Sequence, residues 1–147
     1  FKINAKELFG FGNICIVAEI CENLVHWSWI AFNETYVSEI ARRILISSDS
    51  AYIHAVYTVP EYRGLGIAPK ALEKICSYLN DRGIKKAYIY THCGNSPSLR
   101  AAHKAGFQKI GTITFIKVCK LKLYRLEGKT GNDYNTLKSM FSIEKTR

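Results

Sequence analysis

At the middle of the chain stands Val59-Pro60-Glu61-Tyr62-Arg63-Gly64-Leu65-Gly66-Ile67-Ala68, a glycine-rich segment between two regular patterns. An apolar run from Ala51 to Val59 predicts a strand before it, and helical spacing from Ala68 to Arg82 predicts a helix after it. Glycine lacks a Cβ, so its backbone adopts left-handed dihedral angles and approaches ligands closely. The first N–H groups of a helix have no partner within the helix, and the helix dipole favours an anion there. The segment therefore predicts a strand–turn–helix junction that can bind an anion, most often a phosphate.

Two neighbouring residues fit this interpretation, and two known phosphate-binding patterns do not. Arg63 adds a positive charge beside the turn, and Pro69 is tolerated in a first helical turn, where no N–H is needed. The Walker pattern G-x-x-x-x-G-K-[ST] is absent, and Pro69 occupies the position where a dinucleotide pattern needs a small residue. From spacing alone, a tight turn without a ligand remains an alternative.

The segment Arg63-Gly64-Leu65-Gly66-Ile67-Ala68 resembles the [QR]-x-x-G-x-[GA] motif of the GNAT superfamily, the Gcn-related N-acetyltransferases. Downstream, Asn95-Ser96-Pro97-Ser98-Leu99-Arg100 and Gly106-Phe107 resemble its second motif, an Asn followed by a short helix. Two motifs in the right order are more specific than either one alone. The resemblance extends from about Ile14 to Leu126.

The resemblance implies a mixed α/β (α+β) fold. Its central sheet is mostly antiparallel, with one parallel pair of strands that splays around the loop and with helices on both faces. A GNAT domain usually begins with a strand and two helices, yet only thirteen residues precede Ile14, so we expect those elements to be missing. We expect one domain over residues 1–127, then a linker and a short carboxy-terminal helix or tail over residues 128–147.

Other segments are predicted from local patterns. Leu24 to Phe32 reads as a strand in which His26 and Ser28 alternate with tryptophans. The segment 37–46 is expected to be an extended strand or irregular, and Ser96 is expected to cap the second helix. Two antiparallel strands, over residues 108–115 and 118–126, are followed by a helix over residues 134–143.

For ligand binding, the resemblance implies acetyl-CoA as the acetyl donor. Its pyrophosphate is expected on the loop and its pantetheine arm along the preceding strand. The backbone N–H that polarises the thioester carbonyl falls, by position, within Tyr57-Thr58-Val59, and we take Tyr57 as the first candidate. Asn95 marks the far side of the gap between the splayed strands. The expected coenzyme-binding residues are Tyr57, Thr58, Val59, Arg63, Gly64, Leu65, Gly66, Ile67, Ala68, Asn95 and Ser98.

The general acid and the general base are left open. The family's usual acid is a Tyr seven residues after the motif Asn, and this chain has Ala102 there. His103 follows and is either a partly exposed histidine or a replacement acid. His54 on the central strand is either a general base or a core histidine that is satisfied by a hydrogen bond. Glu19 and Glu39 are the alternative bases.

The five cysteines predict free thiols in the cytoplasm. Their number is odd and no C-x-x-C pair occurs, which argues against a disulfide scaffold and against a metal site. Cys93 follows the strand that leads to the second motif. It lies either near the thioester or, as the interpretation we prefer, among buried, inert thiols.

The formal net charge of +9 attracts anions of several kinds, including CoA with its three phosphate groups and nucleic acid. No nucleic-acid-binding motif accompanies the charge, so nucleic acid is not the expected partner. No apolar run is long enough to span a membrane, and no membrane partner is expected. A homodimer is left open.

Two functions follow from the resemblance. The first is an N-acetyltransferase that moves an acetyl group from acetyl-CoA to a primary amine of a small molecule or peptide. The second is a non-catalytic, CoA-binding regulatory domain of a longer protein, which Ala102 and the missing amino-terminal elements favour. A nucleic-acid-binding domain is a third hypothesis that rests on charge alone.

Overall fold

The computed structural model describes residues 5–141, which form two compact units. The first unit comprises the described residues up to Asn33 together with Ser47–Phe107. The second comprises Glu34–Ile46 and the described residues from Gln108 onward. The domain boundary after residue 127 stays a prediction. In chain order the helices and strands are α1 (Ala5–Gly10), β1 (Ile14–Ile20), β2 (Asn23–Ala31), β3 (Glu34–Val37), β4 (Arg42–Leu45), β5 (Ser50–Thr58), α2 (Ile67–Asp81), β6 (Lys86–Ile89), α3 (Ser96–Lys104), β7 (Gly111–Val118), β8 (Leu121–Gly128) and α4 (Gly131–Met140).

The first unit is built on a four-stranded sheet with the order β1-β2-β5-β6. The pairs β1–β2 and β2–β5 are antiparallel, and β5–β6 is parallel. The mixed, mostly antiparallel sheet with one parallel pair is therefore confirmed. The parallel pair requires a long crossover connection, and α2 supplies it.

The core of this unit lies between the sheet and α2. Apolar residues at helical spacing place Leu72, Ile75 and Leu79 on one buried face of α2. They pack against a cluster that includes Ile30 and Ile53 of the two central strands. The helix is thereby fixed to the sheet, and its first turn is held at the end of β5.

Strand β5 contains a bulge near its middle. Trp27 of β2 lies opposite Tyr57, whereas Trp29 lies opposite His54, so two residues of β5 face one residue of β2. Ala55 in the bulge has a φ of 49°, in the left-handed region. Simple alternation along β5 is therefore interrupted at this point.

The second unit contains two hairpins and a helix. The segment 37–46, expected to be one strand or irregular, instead contains β4 and the last residue of β3, which pair as a hairpin around a 3-10 turn over Ser38–Ile40. Strands β7 and β8 form a separate two-stranded sheet, a few residues later in the chain than predicted. The Tyr124 hydroxyl donates to the Ile40 carbonyl at 3.0 Å, which ties the two hairpins together.

Helix α4 begins earlier than the helix predicted over residues 134–143. Thr130 and Asp133 form a capping box in which each side chain bonds the backbone N–H of the other residue. The last residues of the predicted helix, from 142 on, lie outside the described part. Within residues 5–141 no helix is long and apolar enough to cross a membrane.

Candidate functional site

The predicted strand–turn–helix junction is present between β5 and α2. After Thr58 the chain makes a 3-10 turn over Pro60–Tyr62 and then reaches Gly64 and Gly66, whose φ angles are 81° and 78°. A Cβ would meet nothing within 4 Å at either glycine, so the backbone angle rather than lack of space demands glycine there. Gly66 is the residue that precedes the first turn of α2, and no side chain caps that helix end.

Arg63 is anchored beside this junction. Its Nε donates to the Thr58 carbonyl at 2.9 Å, and its guanidinium lies 5.4 Å from the centre of the Tyr57 ring. Arg63 remains exposed, and only its Nε is used in the bond to Thr58. The remaining guanidinium N–H groups are the kind of donor that binds phosphate oxygens in pairs.

The parallel strands β5 and β6 separate before the junction. Pairing between β5 and β6 runs only from Ser50 opposite Lys86 to Ile53 opposite Ile89. Beyond Ile53, β5 continues to Thr58 with β2 as its neighbour on one edge. A gap therefore opens on the β6 side of the last part of β5.

The orientation of the backbone distinguishes the three residues predicted to polarise a carbonyl. The Val59 N–H donates to the Val25 carbonyl at 2.9 Å and thus points toward β2. Backbone groups alternate edges along an antiparallel strand, so the Tyr57 N–H also points toward β2, opposite Trp27. The backbone groups of Thr58 point the other way, toward the gap, where the Thr58 carbonyl bonds Arg63.

Asn95 and Ser98 lie at the beginning of α3. The Asn95 side-chain oxygen accepts the Ser98 N–H at 3.2 Å, so Asn95 caps the helix. The predicted cap, Ser96, is instead the first helical residue. Asn95 is the better cap because its carbonyl oxygen reaches an N–H three residues on. The expected roles of Asn95 and Ser98 toward a coenzyme stay predictions.

The bulge changes which residues of β5 share a face. Simple alternation along a strand would place His54, Val56 and Thr58 on one face. Instead Val56 packs with the core cluster under α2, whereas His54 stacks on Tyr52, with ring centres 5.8 Å apart. The extra residue, Ala55, shifts the alternation by one. His54 therefore lies on the face directed away from α2.

Aromatic side chains cover part of that second face. Tyr57 stacks on Trp27 with ring centres 4.5 Å apart, and Trp29 contacts Phe9 of α1 edge to face at 4.9 Å. Tyr57 is 38% exposed. This face presents stacked, partly accessible rings beside Arg63.

A buried polar cluster lies on the α2 side of the sheet. His26 is completely buried, its Nδ1 is 2.8 Å from the Thr58 hydroxyl, and its Nε2 is 2.9 Å from the Ser28 hydroxyl. Burial lowers the pKa of His26 below its ordinary value. Of its three members, only Thr58 was predicted as part of the site. Its sequence signal was the placement of His26 and Ser28 on the strand face that also carries Ile30.

The candidate acids and bases are dispersed. His103 is exposed in the last turn of α3, and the neighbouring Ala102 is buried with 8% exposure. Glu19 is exposed on β1. Glu39 belongs to the second unit, where it accepts a hydrogen bond from Ser38 at 3.0 Å. The roles of His54 and His103 as base and acid stay predictions.

The cysteines are free thiols, and their exposure differs from our expectation in one case. Cys93 is exposed rather than buried, because it follows the end of β6 in a turn instead of continuing the strand. Burial raises the pKa of Cys15 and Cys76. Among residues 5–141, no group of three or more His, Cys, Asp or Glu side chains is placed to hold a metal ion.

A family model described as the acetyltransferase (GNAT) family matches residues 4–107. The match includes both predicted motifs and all strands of the four-stranded sheet. The chain belongs to the acetyltransferase (GNAT) family. No match is found among curated protein sequences.

Solved structures with the same fold have low sequence identity. The aminoglycoside N-acetyltransferase AAC(6')-Iy, in complex with a CoA-containing bisubstrate analogue, is 15% identical, with a TM-score of 0.57 over 72% of this chain and 69% of that one. The BH1408 protein from Bacillus halodurans, in a mutant form, is 16% identical, with a TM-score of 0.61 over 79% and 74%. A ribosomal-protein-alanine N-acetyltransferase from Brucella melitensis is 13% identical, with a TM-score of 0.53 over 72% and 71%. These likenesses establish the fold.

Proposed function

We propose that the protein is an N-acetyltransferase that moves an acetyl group from acetyl-CoA to a primary amine. The observation that carries the proposal is the junction after β5, where two left-handed glycines lead into the open first turn of α2. Arg63 stands beside this turn with guanidinium N–H groups in addition to the one that holds Thr58. Such a site suits the pyrophosphate of CoA, because backbone N–H groups, helix dipole and guanidinium all favour an anion.

The gap beside β5 suits the rest of the coenzyme. A pantetheine arm contains amide groups, which can pair with the backbone edge that β6 leaves without a neighbouring strand beyond Ile53. Of the three candidate donors, Thr58 is the one whose N–H is directed into this gap. We therefore assign to Thr58, rather than to Tyr57 or Val59, the hydrogen bond to the thioester carbonyl oxygen. That bond stabilises negative charge as it develops on the oxygen.

The acceptor amine is assigned only by class. Structures of the same fold include acetyltransferases named for aminoglycosides and for a ribosomal-protein alanine, so a small-molecule amine and a peptide amine both stay in the proposal. An amine must lose a proton before or during attack, and His54 is our candidate base because an imidazole is effective near neutral pH. The free thiols fit a cytoplasmic protein.

Ala102 supports a second candidate function, a CoA-binding domain without catalysis. The residue carries no titratable group, so the departing thiolate receives no proton from this position. A thiol with an ordinary pKa of about 8.5 is still an acceptable leaving group near neutral pH. The two candidates therefore share CoA binding and differ in turnover.

Calorimetric titration of CoA tests the shared part with a matched pair of variants. Gly66 and Gly83 lie at opposite ends of α2, with φ angles of +78° and +76°. A Cβ added at either position would have no neighbour within 4 Å. Gly66→Glu and Gly83→Glu thus add the same side chain at similar backbone strain. We expect Gly66→Glu to abolish binding and Gly83→Glu to retain it. Equal affinity in the two folded variants would refute the loop assignment.

The CoA affinity of an Arg63→Ala variant provides a second test of the site. Loss of a charge-assisted contact to phosphate should weaken CoA binding by about ten- to a hundredfold. Arg82→Ala is the control, because Arg82 likewise lies over a tyrosine, Tyr78, at 4.6 Å but at the other end of α2. Thiol release from acetyl-CoA across a panel of amines then separates the two candidate functions. Release above the acceptor-free rate supports the transferase, and CoA binding without release supports the non-catalytic domain.

A further inference from the structure

The buried cluster of His26, Ser28 and Thr58 is unusual for its position. It lies on the sheet face that packs against α2, among apolar residues such as Ile30 and Val56. A buried imidazole is costly unless its polar atoms are satisfied. Here both ring nitrogens have hydroxyl partners, at 2.8 Å and 2.9 Å. Because a hydroxyl both donates and accepts, either tautomer of His26 can make these bonds.

Thr58 is held by contacts from two directions, while its backbone N–H stays directed into the gap. Its hydroxyl contacts His26 from the α2 side, and its carbonyl accepts a hydrogen bond from Arg63. The next residue, Val59, is bonded to Val25 of β2. The two backbone contacts hold the peptide plane between Thr58 and Val59, and the contact with His26 holds the Thr58 side chain. The Thr58 N–H is left pointing toward the gap.

The end of β5 has a neighbouring strand on only one edge, so additional contacts are needed to hold Thr58 in place. Before the bulge, β5 is held by neighbours on both edges, whereas after the bulge β6 no longer pairs with it. A protein group that bonded the Thr58 N–H would secure the strand but would block the group from a ligand. A side-chain contact from beneath the sheet secures the same residue without using that N–H.

We infer that His26 is a positioning residue that holds Thr58 so that its backbone N–H meets the thioester carbonyl oxygen of acetyl-CoA. The inference rests on the proposed function. His26 touches neither coenzyme nor amine, and acts only through the Thr58 hydroxyl. Its effect should therefore appear in recognition of the carbonyl and not in binding of the rest of CoA.

The test compares the affinities of acetyl-CoA and S-ethyl-CoA, in which a methylene replaces the carbonyl. The ratio of the two dissociation constants reports the hydrogen bond to the carbonyl. One such bond corresponds to a preference of about two- to tenfold for acetyl-CoA. Binding of CoA itself is measured alongside, since it reports the loop and not the carbonyl.

Two matched pairs of variants separate positioning from a general structural role. His26→Asn keeps a polar atom near Nδ1, the atom that contacts Thr58, whereas His26→Gln keeps one near Nε2, which contacts Ser28. Thr58→Ser keeps the hydroxyl, whereas Thr58→Val keeps the shape and loses it. We expect the carbonyl preference to persist in His26→Asn and Thr58→Ser. We expect it to fall toward one in His26→Gln and Thr58→Val, and we expect CoA affinity to change less than twofold in the two His26 variants.

Each outcome has a distinct meaning. If the unaltered protein does not bind CoA, the proposed function fails and this inference fails with it. If it binds CoA and prefers acetyl-CoA, but the preference survives in Thr58→Val and His26→Gln, only the positioning role is overturned. If His26→Asn and His26→Gln lose the preference equally, the role of His26 is structural and the inference is also overturned. Thr58→Val keeps the test decisive if a His26 variant fails to fold, because valine preserves the β-branched shape.

Discussion

Three groups of Thr58 connect the buried cluster with the candidate site. Its hydroxyl contacts buried His26, its carbonyl binds Arg63, and its N–H is directed into the gap beside β5. The side chain and the backbone therefore point in different directions, one toward the core and one toward the gap. A conservative change of the side chain can test the first without removing the second.

The burial of His26 predicts a pH dependence of stability. Its pKa is lowered in the folded protein, from an ordinary value near 6.5. Above that pH the imidazole is neutral in both states. Below it the unfolded chain binds the proton more readily, so the free energy of unfolding should decrease as the pH falls, until the folded pKa is passed. One group contributes at most about 1.4 kcal/mol per pH unit.

Urea unfolding at pH 7.5 and pH 5.5 measures this effect. The unaltered protein should lose more stability between the two pH values than His26→Asn does, because the other ionisable groups are shared and cancel in the comparison. Equal losses in the two proteins would show that His26 keeps its ordinary pKa in the folded state.

The sequence predicted some of these residues and not others. Arg63, Gly64 and Gly66 were found because a turn of this kind has a local signature in consecutive residues. The contact between His26 and Thr58 spans 32 positions, and it depends on the register between β2 and β5. The bulge shifts that register by one residue, and no glycine marks it, since Ala55 is the residue in the left-handed region.

At the scale of elements, the bulge in β5 gives a test of its own. Alanine in the left-handed region costs about 1–2 kcal/mol, whereas the greater freedom of glycine in the unfolded chain costs about 0.5–1 kcal/mol. Ala55→Gly should therefore leave the free energy of unfolding unchanged or raise it by up to about 1.5 kcal/mol. Chemical denaturation of the purified variant measures the difference.

Ala51 of the same strand is the matched control. It is fully buried in the core cluster and does not have a positive φ. Ala51→Gly should lower the free energy of unfolding by about 1–2 kcal/mol, from lost burial and from chain entropy. If Ala55→Gly is as destabilising as Ala51→Gly, the strained bulge described above is absent.

Elements were predictable where their pattern is local and periodic. The helix α2 and the strands β2 and β5 lie within a few residues of the predicted ranges, because apolar spacing marks both kinds of element. The hairpin β3–β4 was missed as a pair of strands. Its turn ends on Ala41 with a φ of 48°, and alanine gives no sign of a left-handed turn.

At the scale of the whole molecule, segments that follow one another in the sequence do not always belong to the same compact unit. The hairpin β3–β4 interrupts the first unit in sequence, yet it belongs with β7, β8 and α4. Arg42 of β4 lies 4.5 Å from the ring centre of Tyr124 of β8, a contact between distant parts of the chain. Such non-local packing has no sequence signature in a single chain. All residues proposed to bind CoA belong to the first unit.

Packing in the second unit depends on a glycine that the sequence alone did not single out. A Cβ on Gly128, at the end of β8, would overlap the backbone of Tyr134 in the first turn of α4, and backbone atoms cannot move aside easily. Gly128→Ala should therefore destabilise the second unit by about 1–3 kcal/mol, the usual range for overpacking. Gly131→Ala is the matched control, since nothing lies within 4 Å of a Cβ there and alanine favours a helix.

Hydrogen exchange followed by mass spectrometry locates the damage. In Gly128→Ala we expect faster exchange of the Lys129 and Tyr134 amides, which bond the Ile110 and Thr130 carbonyls, while protection in α2 is retained. Because the proposed coenzyme contacts lie in the first unit, CoA affinity should change less than about twofold. Protection equal to that of Gly131→Ala would mean that α4 does not pack against the end of β8. A large loss of CoA affinity would contradict the proposal that the coenzyme contacts lie only in the first unit.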